Sequence, residues 1–198
     1  MDFLNIDLNE VIIKDPIFNK NNNSFFSEIE SSLKGDDCQI SFNSQSMKVS
    51  KLTRENGHDF VTLEFLDNFP EFFKFIYELD EHIYRCVLTN GEHWFGNKPK
   101  PDTIQQLFKR SIILQNDLRS NPSMQFEVLE ECELLDSEKD PIKFENLELN
   151  NEVKCKLTIK GLEFFENKFY LSFSLEQIVV ENDVCQQTEY LFTNSESD

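Results

Sequence analysis

Glycine and proline are scarce, 5 and 6 in a chain of 198 residues, too few to mark a linker. The expected organisation is therefore one domain over residues 1–180 and an acidic, mobile tail, 181–198. No apolar run approaches the roughly 20 residues that cross a bilayer. The opening MDFLNIDLNEV lacks both the basic start and the apolar stretch of a secretory signal, so an intracellular protein with no membrane role is expected. The cysteines, Cys38, Cys86, Cys132, Cys155 and Cys185, are odd in number and far apart, without a C-x-x-C pair. That argues against a disulfide framework and against structural zinc. Cys86 and Cys155 stand among apolar neighbours and read as small core residues. His58, His82 and His93 show no metal-ligand spacing, and G-x-S-x-G, a phosphate-binding glycine loop and H-x-E are all missing. No catalytic residue, metal or cofactor is expected, and an enzyme is disfavoured.

Positive charge is the other shortage: 19 Lys and Arg face 37 Asp and Glu, a net charge of −18. The summed field of such a chain repels a polyphosphate, so any nucleic-acid role must rest on a local patch. The acid is unevenly spread. Residues 121–160 carry −5 and 161–198 carry −7, whereas 81–120, with six basic against four acidic residues, carry +2. Basic residues gather in islands at Lys48, Lys51 and Arg54, at Lys98, Lys100, Lys109 and Arg110, and at Lys154, Lys156 and Lys160. Apolar material is ample: 39% of residues are hydrophobic and 20 are Phe, enough for a packed core.

The apolar pattern predicts a mainly β chain with α insertions. Alternating stretches around Val11–Ile13, Cys38–Phe42, Met47–Val49 and Phe60–Phe65 suggest an antiparallel meander, since no long crossover separates them. Phe72, Phe73, Ile76, Leu79, Ile83, Cys86 and Val87 recur at threes and fours and predict a helix from Glu71 to about Leu88, ended by Thr89-Asn90-Gly91. After a loop from His93 to Pro101, Asp102 or Thr103 would cap a second helix with Ile104, Leu107, Phe108 and Ile112 on its buried side, so the helical insertion covers about 70–112. Met124–Leu129 alternates loosely, and Glu130–Asp140 reads as an acidic loop. The clearest pattern follows. Val153, Cys155, Leu157 and Ile159 alternate with Lys154, Lys156, Thr158 and Lys160, and Gly161 suggests a bulge. Past a turn at Glu166-Asn167-Lys168, Phe169, Leu171, Phe173 and Leu175 alternate with Tyr170, Ser172, Ser174 and Glu176, which completes a β-hairpin.

Each candidate residue has two readings. Lysines on the wet face of a strand are ordinary and discourage edge pairing; on a groove they would hold phosphates. Trp94 and Phe95 suit either a loop anchor on the core or a stacking platform for bases. Tyr170 lies on the polar face of its strand, where core packing explains its ring less easily.

Three stretches, LDEHIYRCVLTNGEHWFGN (79–97), DTIQQLFKRSI (102–112) and VKCKLTIKGLEFFENKFYLSFSLEQIVV (153–180), together resemble the OB-fold, single-stranded-DNA-binding-like proteins of large nucleocytoplasmic DNA viruses. Those are similar in turn to phage single-stranded DNA-binding proteins. The resemblance covers about half the chain. It implies an OB-like antiparallel barrel that binds oligonucleotides across one face. It also implies a non-enzymatic role on single-stranded DNA in viral replication or repair, in the host cytoplasm or a viral factory. The family's aromatic pair after the central helix corresponds to Trp94-Phe95, and its Gly-apolar-x-Phe corner to Gly161-Leu162-Glu163-Phe164; a small residue is usual where Tyr170 stands. Lys154, Lys156 and Lys160, with Lys98, Lys100, Lys109 and Arg110, would contact phosphates, and Trp94, Phe95 and Tyr170 would stack on bases. The acidic tail would recruit other replication or virion proteins, and the chain could assemble with copies of itself. The rival expectation is a virion structural or adaptor protein that uses the same barrel for protein contacts.

Overall fold

The computed structural model describes residues 2–20, 23–32, 39–68, 70–114 and 121–182. In chain order its elements are strands β1 (Val11–Ile13), β2 (Ile17–Asn19), β3 (Ser24–Ser31), β4 (Ile40–Asn43), β5 (Met47–Glu55) and β6 (His58–Phe65), helices α1 (Pro70–Phe95) and α2 (Pro101–Leu107), then β7 (Ser123–Val128), β8 (Glu133–Leu135), β9 (Glu152–Phe165) and β10 (Lys168–Asn182). The alternating segment that stands out in the sequence, β9, is the spine. Along one edge it pairs in turn with β5 (Met47 opposite Val153), β4 (Ile40 opposite Ile159) and β3 (Phe25 opposite Phe164), and along the other it pairs with β10. Beyond these, β6 joins β5 to β7, while β1 and β2 hang on β3. The β8–β10 ladder is parallel. At the far edge β7 returns beside β10, with Phe126 edge-on to Phe173 at 6.4 Å and no ladder between the two strands among the described residues. The mostly antiparallel, OB-like arrangement with two inserted helices and a C-terminal hairpin is therefore present, as an open sheet rather than a barrel closed by hydrogen bonds.

Val153, Cys155, Leu157 and Ile159 of β9 face the interior with Val49, Val61, Leu63 and Ile178, all buried. One helix closes the open end of this core. Its Phe72 and Phe75 lie 5.2–6.2 Å, centroid to centroid, from the rings of Phe3, Phe42 and Phe65, and Ile76, Leu79, Ile83 and Val87 continue the stripe. Each such side chain contributes about 1.5–3 kcal/mol when fully buried. Among the described residues no helix is long and apolar enough to cross a membrane.

Several boundaries differ from the pattern. Helix α1 runs through Asn90-Gly91 and stops at Phe95, where Gly96 adopts the left-handed φ of +71°. Within the helix Gly91 leaves room for the Pro99 ring, which packs where a side chain would be, 2.4 Å from an ideal Cβ. His93, Trp94 and Phe95 are thus the last helical turn, not a loop. Helix α2 begins on Pro101 after Lys100, without a side-chain cap, and ends at Leu107, so Phe108 and Ile112 are buried from an extended segment. Strand β3 escapes a period-two reading because serines, Ser24 and Ser27, occupy buried positions. The acidic stretch 130–140 contains β8, and β10 continues two residues into the expected tail. Cys155 is buried and Cys86 half-buried, whereas Cys38, Cys185 and the tail from 183 onward lie outside the described residues.

Candidate nucleic-acid interface

Register builds one face of the site. Phe26, Glu163 and Tyr170 are direct partners across β3, β9 and β10, so their side chains stand on the same side of the sheet, the outer one, with Phe26 and Tyr170 about 10 Å apart by two strand spacings. The bulge expected near Gly161 is there: Ser172 pairs with Gly161 and Phe173 with Ile159, which leaves Lys160 as the extra residue, turned outward and exposed. Gly161 gives the outer face a flat floor, and the tip of the Phe26 ring lies over it. Tyr170 donates a hydrogen bond to Glu163 Oε2 at 3.0 Å. Burial, then the neighbouring Glu163 carboxylate, pushes its hydroxyl up to about 12, so the ring stays neutral.

The segment after α2 supplies the next groups. Lys109 N–H donates to the Phe169 carbonyl at 2.9 Å, which sets Lys109 Nζ 5.6 Å from the Tyr170 ring centroid. Arg110 turns the other way. Its guanidinium pairs with Glu81 and lies 5.5 and 5.7 Å from the Tyr77 and Phe108 rings, which leaves Lys109 as the exposed cation of the pair. Ser111 is anchored by a buried acid: Asp80 of α1 accepts from Ser111 N–H at 2.9 Å and from its hydroxyl at 2.7 Å. Burial pushes the Asp80 carboxyl up to about 6, against the pull of those hydrogen bonds and of Arg110. Because the folded state holds this proton more tightly than the unfolded chain, the group's stabilisation is complete below pH 3.8 and lost as pH rises through 6. The substitution Asp80→Asn, which keeps an acceptor for Ser111 without the charge, is expected to remove a pH-dependent loss of about 2–3 kcal/mol. Melts of both proteins at pH 4 and 7.5 should show the variant gaining relative to the parent at the higher pH; parallel shifts would contradict this.

The lysines of β9 are divided. Lys154 pairs with Glu181 at 2.5 Å and Lys156 with Glu176 at 2.7 Å, while Lys160 makes no ion pair among the described residues. Hydrogen bonds from Lys156 and Thr158 hold the Glu176 carboxyl below its usual range, so the pair stays charged. Two cavities lie along β10, lined by separate residues. One of about 190 Å³ lies in the β7–β10 seam beside Lys109, Tyr170 and Ser172; the other, about 560 Å³, is bordered by Lys156, Lys160 and Ser174 and by the acids Glu131, Glu133 and Glu176. The strip of β10 surface that carries both, a trough, is of mixed charge. The structure thus brings Lys109, Lys160, Lys156 and Tyr170 to one surface, with Arg110 at its rim. Phe26 joins them unannounced, since nothing in the pattern marks β3 as a strand.

Trp94 and Phe95 are elsewhere. They pack edge-on against Phe164 at 6.2 and 5.8 Å, and Phe164 pairs with Phe169 on the inward side of the hairpin. Lys98 and Lys100 are exposed in the α1–α2 link and make no ion pair among the described residues. No group of three or more His, Cys, Asp or Glu among the described residues could hold a metal ion.

The sequence profile of a family of unknown function (DUF5871) matches residues 61–194. The chain belongs to this family. The DUF5871 match takes in α1, α2 and β7–β10, and with them Lys109, Lys160 and Tyr170, but not Phe26. A search of curated proteins by sequence finds no match. Among solved structures, the single-stranded DNA-binding protein from bacteriophage Enc34 is similar in fold, with a TM-score of 0.50 and 12% identity over 94% of this chain and 96% of that one. Its C-terminal truncation gives 0.50 and 11%, over 88% and 96%. The same phage protein in complex with single-stranded DNA gives 0.49 and 12%, over 86% and 96%.

Proposed function

We propose that this DUF5871 chain is a single-stranded DNA-binding protein that escorts exposed strands in replication or repair. The observation that carries the reading is the convergence of Phe26, Tyr170, Lys109 and Lys160 on the outer face, beside a trough along β10. Two rings spaced across a sheet offer π-faces to unpaired bases, and the two lysines offer charge to the backbone between them. The phage protein of similar fold, which is named for single-stranded DNA binding, supports it. Overall acidity limits the affinity, because only a local patch attracts phosphate, and the lysine–phosphate contacts of that patch make binding salt-dependent.

A fluorescein-labelled oligothymidylate titrated with the full chain tests this by anisotropy. Binding is expected at low salt and should weaken steeply as salt rises. Tyr170→Ala and Phe26→Ala should each weaken it by about 5- to 160-fold, the range for one stacked base. Absence of binding at low salt would overturn the reading.

A further inference from the structure

The aromatic cluster beneath the hairpin tip is separate from the trough and differs from it in charge. Phe25, Trp94, Phe95 and Phe164 wall a cavity of about 270 Å³ whose polar groups are Asp15 and His93; among the described residues no Lys or Arg borders it. Phe25 and Phe95 are 48% and 45% exposed, and Phe18 extends the aromatic surface by packing on Phe25 at 5.1 Å. Asp15, in the turn between β1 and β2, is fixed at the rim. Trp94 Nε1–H donates to its Oδ1 at 2.9 Å, and His93 Nε2 lies 3.2 Å from Oδ2. These hydrogen bonds, Trp94 first, hold its carboxyl below the usual range, so it is an anion at neutral pH. Each oxygen retains a free lone pair.

From this geometry we infer that the cavity is a docking site for an arginine side chain of a partner protein. Exposed ring faces attract a cation, tryptophan most strongly. A planar guanidinium can stack on such faces while its N–H fork meets a carboxylate, which a compact ammonium does less well. A carboxylate at the rim of a chain of net charge −18 disfavours a phosphate-bearing occupant and favours a basic one. The inference is independent of the DNA reading, since it uses different residues on the other side of the hairpin.

Trp94 is the only tryptophan of the chain, so its fluorescence reports on the cavity directly. The full chain at 0.15 M salt would be titrated with a capped Gly-Arg-Arg-Gly peptide and with its citrulline counterpart, which has the same shape without the charge. A saturable change with the arginine peptide and at least about tenfold weaker binding of the citrulline peptide are expected. Asp15→Asn and Phe25→Ala, both at exposed positions and checked for folding by circular dichroism, should each weaken binding by about 3- to 30-fold. Lys109→Glu, in the trough, should leave it unchanged. Equal binding by parent and both variants would reduce the effect to general attraction by an acidic surface and overturn the inference. So would an oligothymidylate that quenches Trp94 and displaces the peptide, or self-association abolished by Phe25→Ala with no response to peptide.

Discussion

Reversing Lys109 and Lys160 together to glutamate is expected to lower affinity for an oligothymidylate by about 25-fold or more at 0.1 M salt. A single-strand phosphate contact contributes a salt slope of about −0.7, so each contact is worth roughly fivefold at that concentration; two lost contacts multiply, and the new carboxylates add repulsion. The slope of log affinity against log salt should become shallower by about 1.4. These two lysines are chosen because they reach the trough without a carboxylate partner among the described residues, Lys109 beside the Tyr170 ring and Lys160 at the bulge. Lys154 makes the internal control. Its ammonium is engaged by Glu181, so Lys154→Gln should change affinity less than twofold. Unchanged binding by the double reversal would remove the outer face from consideration, whatever the chain's affinity for DNA.

The contrast between these lysines marks where the sequence stops being readable. Alternation of Val153, Cys155, Leu157 and Ile159 with lysines announces β9, because its two faces meet different media and the side-chain period is two. That Glu176 and Glu181 on the next strand take up Lys156 and Lys154 depends on register and on the shifts at Gln177 and Asn182, which no local pattern encodes. Helix α1 was legible through its threes and fours, yet Asn90-Gly91, a good stop signal in isolation, is overridden by tertiary packing: Pro99 fits against Gly91, and Trp94 and Phe95 pack on Phe164. Strand β3 was not legible at all. Buried Ser27 stands on its inward face between Phe25 and Ile29, and buried Ser24 on the opposite face, which breaks the alternation; with the strand went Phe25 and Phe26, one in each candidate site.

The close passage of Ser27 over β9 leads to a large expected stability effect, that of Gly161→Ala. An ideal Cβ at Gly161 would lie 2.4 Å from the Ser27 carbonyl oxygen and 2.4 Å from the Phe26 ring. The ring can swing aside, being on the outer face and half-exposed, but the carbonyl belongs to β3, which pairs with β9 at this point through Ser27 opposite Leu162 and Glu28 opposite Gly161. Relief therefore requires β3 to move away from β9, and β1 and β2 hang on β3. A cost of about 3 kcal/mol is expected, at the upper end for overpacking, which for a chain of this size lowers the melting temperature by roughly 6–12 °C. Two further variants separate the contributions. Phe26→Ala alone should cost little stability, since its ring is not core. The double variant should recover only the part due to the ring and remain well below the parent, because the carbonyl stays where it was. Full recovery in the double variant would show that the ring, and not the close passage of β3 over Gly161, makes this position intolerant of a side chain. In that case β3 would be held to β9 less tightly than the contact with Ser27 requires, and Phe26 would lose the rigid support that holds it on the outer face.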